Sequence, residues 1–128
     1  MHCVDSTYLI DLSHNDEGAV RKARALEASG EMCAAAAPTV TEVLMGAHSR
    51  GGAYLRRMLE LVGELNVLET TLDIASGAGE LGALMKKRGQ ATPTVDLLIA
   101  QTARKHGAIL LTRDTGFTRI PGLVCEAY

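Results

Sequence analysis

The sequence predicts an α/β fold in which helices flank a parallel sheet. Short apolar segments alternate with amphipathic ones along all 128 residues, and this alternation is typical of strand–helix–strand units. Residues 108–112 are apolar on both faces, as a strand inside a parallel sheet must be. Hydrophobic residues make up 47% of the chain and charged residues 22%, which is the composition of a globular protein. We expect residues 1–128 to form a single domain.

Five short apolar segments have strand character. They are bounded by turn or cap residues and lie at 2–4, 32–35, 66–69, 108–112 and 123–125. Six helices are predicted around them from capping residues and from apolar side chains at helical spacing. The fourth covers residues 53–65, where Leu55, Leu59 and Val62 form an apolar stripe that a partner helix can cover. The sixth covers residues 95–106.

The composition argues against two classes of function. Aromatic residues are only 3% of the chain and tryptophan is absent, so a stacking platform for single-stranded bases is not expected. The net charge of −2 comes from 13 Lys and Arg against 15 Asp and Glu, and it argues against coating of nucleic acid by bulk positive charge. A nuclease is compatible with this balance, because its acidic side chains can gather around bound metal ions.

The cysteines and the termini bear on the location of the protein. Cys3, Cys33 and Cys125 are far apart and lie in apolar segments, which predicts buried free thiols rather than a metal or redox site. The N-terminus has no basic region followed by an apolar stretch, and no apolar run reaches the length of a membrane span. We therefore expect no signal peptide, no membrane segment and a cytoplasmic location.

Residues 77–82 read Gly-Ala-Gly-Glu-Leu-Gly, a literal GxGxxG sequence. In a dinucleotide-binding fold such glycines form the turn between a strand and a helix. Here the preceding strand is predicted to end near Glu69, and the helical spacing of Ala78, Leu81 and Met85 runs through the glycines. We interpret them as small residues that let a helix pack closely against its neighbour. A dinucleotide-binding, Rossmann-like protein is kept as an alternative.

Four acidic residues form the second candidate site: Asp5, Glu42, Asp96 and Asp114. Each also has a local structural explanation. Asp5 can cap a helix, Asp114 lies in a turn sequence, and Asp96 falls in a first helical turn, where a negative charge is favourable. Glu42 stands three residues after Thr39, which is the spacing of a capping box.

The predicted topology brings these four acids together. Asp5 and Asp114 follow strands, Glu42 and Asp96 lie near the starts of helices, and in a parallel sheet all such positions meet at the carboxyl edge. Converging carboxylates need neutralisation, and their oxygen atoms suit Mg²⁺ or Mn²⁺. Two such ions about 4 Å apart can activate water and stabilise the leaving oxygen in phosphodiester cleavage.

Residues next to the acids have predicted supporting roles. Ser6 or Thr7 follows the first acid and Thr112 precedes the last one by two positions, so their hydroxyl groups are candidate partners for a carboxylate or a metal-bound water. Arg113 is either a solvated surface residue or a contact to an RNA phosphate. Phe117, the only phenylalanine, is expected to anchor the turn against the core.

At these residues the sequence resembles the PIN-domain family, and within it the VapC-like toxins of bacterial and archaeal toxin–antitoxin pairs. The resemblance covers essentially the whole chain with its motifs in the family's order. It rests on Val-Asp-Ser-Thr-Tyr-Leu-Ile-Asp at 4–11, Pro-Thr-Val-Thr-Glu-Val-Leu-Met-Gly at 38–46, Thr-Val-Asp-Leu-Leu-Ile-Ala at 94–100 and Leu-Leu-Thr-Arg-Asp-Thr-Gly-Phe at 110–117.

The resemblance implies a function and a site. By this likeness Asp5, Glu42, Asp96 and Asp114 are the metal-binding acids and Thr112 supports them. It implies a three-layer fold with a five-stranded parallel sheet of order 3-2-1-4-5, a homodimer, Mg²⁺- or Mn²⁺-dependent cleavage of RNA, and inhibition by a cognate antitoxin. We therefore expect a metal-dependent endoribonuclease toxin. A catalytically silent interaction domain is the other alternative.

Overall fold

The computed structural model describes all 128 residues and contains every predicted strand and helix. The strands are His2–Val4 (β1), Cys33–Ala36 (β2), Asn66–Leu68 (β3), Ile109–Leu111 (β4) and Cys125–Glu126 (β5). The helices are Ser6–Ser13 (α1), Glu17–Ser29 (α2), Ala37–Arg50 (α3), Gly52–Gly63 (α4), Leu72–Lys87 (α5) and Thr94–Lys105 (α6), and a short 3₁₀ helix covers Thr115–Arg119.

All four strand pairs are parallel, and the strand order is β3-β2-β1-β4-β5, as expected. β1 is the central strand, with Cys3 paired to Ala34 on one side and to Leu110 on the other. Since the strands run in one direction, the residues that follow them meet at one edge of the sheet. That carboxyl edge receives Asp5 after β1, the start of α3 after β2, and Thr112 after β4.

The sheet separates two apolar cores. Because side chains alternate along a strand, Cys3 and Leu110 contribute to the first core, whereas Val4 and Leu111 contribute to the second. Residues of α5 and α6 complete the first core, and residues of α1 to α4 complete the second. Phe117 is buried in the first core, which confirms its expected anchoring role. The result is the predicted three-layer arrangement.

β5 begins two residues later than the predicted range 123–125. Leu123 packs against the first core instead of pairing in the sheet. Glu126 takes a strand position, in which its carboxylate is held by two side chains. One is the ammonium group of Lys22, and the other is the His2 ring, whose Nε2 lies 2.9 Å away. The apolar pattern missed this position, because the partners that hold Glu126 are about a hundred residues away in sequence.

The cysteines are free thiols, as expected, but only one is fully buried. Cys3 has no exposed surface, and burial raises the pKa of its thiol to about 11. It is therefore protonated and unreactive at neutral pH. Cys33 and Cys125 are only half-buried, because each begins a strand away from the centre of the sheet. None of the helices combines the length and the apolar character that a membrane crossing requires.

The apolar stripe predicted on α4 is not a free surface. Met58, which lies between its members in sequence, is completely buried, and Leu55 and Val62 pack half-buried against the second core. Only Leu59 is exposed, with 44% of its surface accessible. The stripe therefore serves mainly to attach α4 to the protein.

The GxGxxG sequence lies inside α5 and not in a strand-to-helix turn, which is the expected packing arrangement. A Cβ atom on Gly82 would lie 2.8 Å from the Cδ1 of Leu97, and one on Gly77 would overlap the side chain of Gln101. Both contacts are with α6. Gly79 has no atom near its missing Cβ position, so the packing interpretation is right for two of the three glycines and wrong for Gly79.

Alanine substitutions separate these two kinds of glycine. Gly79→Ala is expected to stabilise the protein by about 0.5–1 kcal/mol, because alanine has the higher helix propensity and the site is open. Gly82→Ala should gain less than this or lose stability, since its methyl group displaces Leu97. Urea unfolding of both variants measures the difference. Equal gains at the two positions would show that α5 and α6 are not in close contact at Gly82.

Candidate metal site

The carboxylate of Asp5 is the most constrained group at the carboxyl edge. Only 2% of Asp5 is exposed, and it is the N-cap of α1, as its local explanation predicts. Its Oδ1 accepts hydrogen bonds from the Tyr8 N–H at 3.1 Å and the Thr7 hydroxyl at 2.7 Å. Its Oδ2 accepts a hydrogen bond from the Thr112 hydroxyl. These bonds fix both oxygen atoms and compensate for the loss of water around a buried charge.

Thr112 connects two of the four acids. Its hydroxyl donates to Asp5 and accepts a hydrogen bond from the Asp114 N–H at 2.9 Å. Asp114 begins the 3₁₀ helix, and its own carboxylate accepts the Gly116 N–H at 2.9 Å. The sequence predicts a turn at Asp114, and the structure shows that this turn leads into a 3₁₀ helix that Asp114 caps. Thr112 has the geometry expected of a supporting residue.

Of the two hydroxyl groups that follow Asp5, only that of Thr7 contacts it. Ser6 makes no hydrogen bond to a carboxylate of the site. Asp5 is the N-cap, so the residue two positions after it, rather than the next one, turns back towards its side chain. The structure therefore favours Thr7 over Ser6 as the supporting residue at this position.

Glu42 is not part of a capping box, and this alternative explanation is wrong. The N-cap of α3 is Ala36, which offers no side-chain cap, and Pro38 lies in the first turn. Thr39 is inside the helix and completely buried, with a hydroxyl that has no hydrogen-bond partner. Because α3 begins directly at the end of β2, Glu42 lies in its second turn, where no helix-terminal role explains a carboxylate.

The pKa shifts show that the four acids share one electrostatic environment. Burial, followed by the charges of Asp96 and Asp5, raises the pKa of the Glu42 carboxyl. Burial, followed by the charges of Asp114 and Asp5, raises the pKa of Asp96, which lies in the first turn of α6 as expected. These charges oppose one another, and a bound cation would remove the repulsion.

The donor set fits a hard divalent cation. All four side chains are carboxylates, one is buried and fixed by hydrogen bonds, and two have pKa values raised first by burial and then by nearby negative charges. Oxygen-only ligands of this kind suit Mg²⁺ or Mn²⁺. The side-chain positions do not bring three His, Cys, Asp or Glu residues together at metal-binding distances, so the fit rests on the chemistry of the donors and on their shared field.

A cavity of about 130 Å³ adjoins the acids. Asp96 and Asp114 form part of its wall, together with Thr92, Gly116 and the side chain of Arg119. Sequence reasoning missed Arg119, because it belongs to no basic cluster and to none of the four acidic motifs. Its place in the wall follows from the fold, since the 3₁₀ helix that carries it returns to the first turn of α6.

Arg113 is exposed, but its guanidinium is engaged in contacts within the protein. Its guanidinium donates to Asp11 at 3.1 Å, to Asp16 at 3.0 Å and to the main-chain oxygen of Tyr128, and it lies 4.1 Å above the Tyr128 ring. Hydrogen bonding to Arg113 lowers the pKa of Asp16, which also caps α2. Asp11 and Asp16 thus act as local partners of Arg113, and Asp16 also caps a helix. Arg113 is exposed, as one of its two interpretations predicts, but it pairs with groups of the protein, and a contact to an RNA phosphate stays a prediction.

A parallel five-stranded sheet with four coupled carboxylates at its carboxyl edge defines an α/β protein with an acidic site suited to metal-dependent phosphodiester chemistry. The family model named PIN domain matches residues 2–123. A curated relative, Ribonuclease VapC51 of Mycobacterium tuberculosis, is 31% identical over 119 residues, which cover 88% of this chain and 84% of the relative. The chain belongs to the PIN-domain family and, within it, to the VapC-like ribonucleases.

Solved structures have the same fold. A toxin–antitoxin complex from Klebsiella pneumoniae contains a chain that matches with a TM-score of 0.75 and 30% identity, over 97% of this chain and 96% of that one. VapBC2 from Rickettsia felis, bound to a DNA fragment from its promoter, matches with a TM-score of 0.85 and 21% identity, over 98% and 97% of the two chains. The predicted family and fold are therefore confirmed.

Substitution of Thr112 tests its role between the acids. Thr112→Val keeps the shape of the side chain but removes a hydrogen bond to a buried carboxylate, so the free energy of unfolding should fall by about 2 kcal/mol. Loss of a partner of this kind should also weaken metal binding by about 10- to 100-fold, which calorimetric titration with Mn²⁺ measures. Ser6→Ala is the matched control and should change neither quantity. A Thr112→Val protein with wild-type metal affinity would contradict the supporting role.

Proposed function

We propose that this protein is a metal-dependent endoribonuclease that acts as the toxin of a toxin–antitoxin pair, with Asp5, Glu42, Asp96 and Asp114 as the residues that hold Mg²⁺ or Mn²⁺. The observation that carries the proposal is the meeting of the four acids at the carboxyl edge, where Asp5 is buried and hydrogen-bonded to Thr112, Asp96 and Asp114 line one cavity, and the charges of neighbouring acids add to the raised pKa values of Glu42 and Asp96. Membership of the VapC-like ribonucleases supports RNA as the substrate. RNA is found in the cytoplasm, and we propose that the protein acts there.

The acids contribute to the proposed site in two ways. Asp5 is a fixed ligand, because Thr7 and Thr112 hold its oxygen atoms. The pKa values of Glu42 and Asp96 are raised, so protons compete with the cation for these two carboxylates. Metal affinity should therefore rise as the pH increases through the pKa values of these two groups. A divalent ion held there lowers the pKa of a coordinated water and neutralises charge on a phosphodiester.

Charge removal tests the four acids. Glu42→Gln and Asp96→Asn keep the shape of each side chain but remove a negative charge from the site, so cleavage of RNA should fall severely. The metal-free variants should be as stable as the wild type or slightly more stable, because like-charge repulsion is relieved. We would measure cleavage by gel electrophoresis of a structured cellular RNA, and thermal midpoints with and without Mg²⁺ or Mn²⁺.

The control for this experiment is Asp73→Asn. Asp73 is an exposed acid that pairs with Lys105 on the surface, so its loss should leave cleavage and the response to metal unchanged. Wild-type cleavage by Glu42→Gln at every metal concentration would remove Glu42 from the site. A wild-type protein that does not cleave RNA with either metal would leave the silent interaction domain as the better explanation. The dinucleotide-binding alternative is disfavoured, because its glycines lie inside α5.

We also propose an antitoxin partner and a surface that receives it. An open groove of about 750 Å³ lies between α2, α4 and the β2–β3 side of the sheet, and ten of its fourteen lining residues are hydrophobic. Leu12, Leu26 and Leu61 line its apolar floor, and Glu27 and Glu64 line it on its polar side. An apolar segment flanked by basic side chains complements this groove. It replaces the α4 stripe as the proposed contact.

Charge reversal at the groove tests the partner. Glu64→Lys should weaken binding of the antitoxin and leave RNA cleavage intact, because Glu64 is an exposed residue of the groove and not of the acidic site. Glu60→Lys, on an exposed position of α4 that does not line the groove, is the matched control. The measurement is co-purification from the native host, followed by inhibition of cleavage by the recovered protein. Loss of inhibition in both variants, or in neither, would exclude this groove.

A homodimer is the remaining part of the proposal. Met45, with 68% of its surface exposed, and the partly exposed Val95 lie beside Glu42 in a second shallow groove, and Leu72 is 84% exposed. Large apolar side chains of this kind are typical of surfaces that a second chain covers. We propose that residues 1–128 form one domain. We also propose that two copies associate through the surface that carries Met45, Val95 and Leu72. The mass of the purified complex in solution, measured by light scattering, tests the dimer.

A further inference from the structure

Arg119 lies in the wall of the 130 Å³ cavity that also contains Asp96 and Asp114. It is exposed, and none of the ion pairs in the structure involves it. An arginine beside two carboxylates would ordinarily pair with one of them. Its guanidinium therefore has all of its hydrogen-bond donors available to a ligand that enters the cavity.

The backbone that carries Arg119 is firmly held. Phe117, two residues before it, is 4% exposed, and Ile120, the next residue, is 3% exposed, and both belong to the first core. Asp114 caps the 3₁₀ helix, which begins at Thr115 and ends at Arg119. Arg119 and Asp114 are thus attached to the same short, anchored segment, which fixes the backbone positions from which the two side chains extend.

The chemistry of the cavity selects its ligand. Asp96 and Asp114 are expected to carry a divalent cation, and a cation on one wall with a guanidinium on another creates a site for an anion with several oxygen atoms. The cavity has a volume of about 130 Å³ and is open to solvent on one side. Planar guanidinium groups bind phosphate through two parallel hydrogen bonds, which Lys cannot do.

We propose that Arg119 binds a phosphate group of the RNA backbone next to the metal site and so positions the strand for cleavage. This inference rests on the proposed ribonuclease function and adds a residue that recognises the substrate independently of its sequence. Phosphate contacts fix the position of a nucleic acid and carry no base information. Arg119 therefore contributes to affinity for all RNA sequences alike.

The test compares Arg119→Gln and Arg119→Lys with Arg56→Gln, an exposed arginine of α4 outside the cavity. Binding of a fluorescein-labelled single-stranded RNA of mixed sequence is measured with Ca²⁺ in place of Mg²⁺, and gels confirm that the RNA stays intact. Affinity is determined at several salt concentrations. Cleavage of the same RNA with Mg²⁺ gives KM and kcat separately, and circular dichroism confirms the fold of each variant.

Arg119→Gln should bind RNA about tenfold more weakly, and the slope of log affinity against log salt should fall by about 0.7, the value for one phosphate contact on a single strand. KM should rise by the same factor with kcat little changed, because a contact made before and during the reaction affects binding alone. Arg119→Lys should restore the salt slope but only part of the affinity. Arg56→Gln should match the wild type in every measurement.

Three results would overturn the inference. Wild-type affinity and salt slope in Arg119→Gln would show that the guanidinium does not touch the RNA, while cleavage by the wild type would leave the ribonuclease function intact. An equal loss in Arg56→Gln would show that bulk surface charge, and not this cavity, binds the strand. A wild type that neither binds nor cleaves RNA would reject the proposed function, and the role of Arg119 with it.

Discussion

The buried carboxylate of Asp5 is the group on which the arrangement of the site depends. A charge with 2% exposure is costly unless hydrogen bonds replace its lost water. The three donors that do so come from the turn into α1 and from the residue after β4, so they tie the central strand to a helix and to a neighbouring strand. The same hydrogen bonds stabilise the fold and arrange the proposed site. Thr112, which donates to Asp5, also accepts the Asp114 N–H and so fixes the position of Asp114 relative to Asp5.

The three-layer fold makes this carboxyl edge possible. Two apolar cores cover the sheet on both faces. Their stability offsets the repulsion between the four negative charges at the carboxyl edge. Burial and neighbouring carboxylates raise the pKa values of Glu42 and Asp96, which means that the metal-free protein is under electrostatic strain at neutral pH. This repulsion is a physical reason to expect affinity for a divalent cation in the proposed site, since a bound cation would neutralise the repelling charges.

The sequence predicts those features that follow from local patterns. The strand order, the helices and the positions of the four acids follow from apolar periodicity, from capping residues and from the resemblance to the PIN-domain family. Features that depend on distant partners were missed. Glu126 extends β5 because Lys22 and His2 hold it, and Thr7 rather than Ser6 supports Asp5 because of the geometry of an N-cap. The capping box at Glu42 failed for a related reason, since α3 begins at the end of β2 before Thr39 can cap it.

Arg113 and Arg119 show how the fold assigns different tasks to similar residues on one segment. The guanidinium of Arg113 is fully used by Asp11, Asp16 and the Tyr128 oxygen, and it fixes the segment between Thr112 and Asp114 against α1 and α2. Arg119 lies at the other end of the 3₁₀ helix, in the wall of the cavity that Asp96 and Asp114 also line, and it forms no ion pair with either. An arginine whose hydrogen bonds are made within the protein gives rigidity, whereas one without a partner beside the proposed metal site has its donors available for a ligand. Sequence alone cannot separate the two, because the difference lies in which helix packs against each side of the segment.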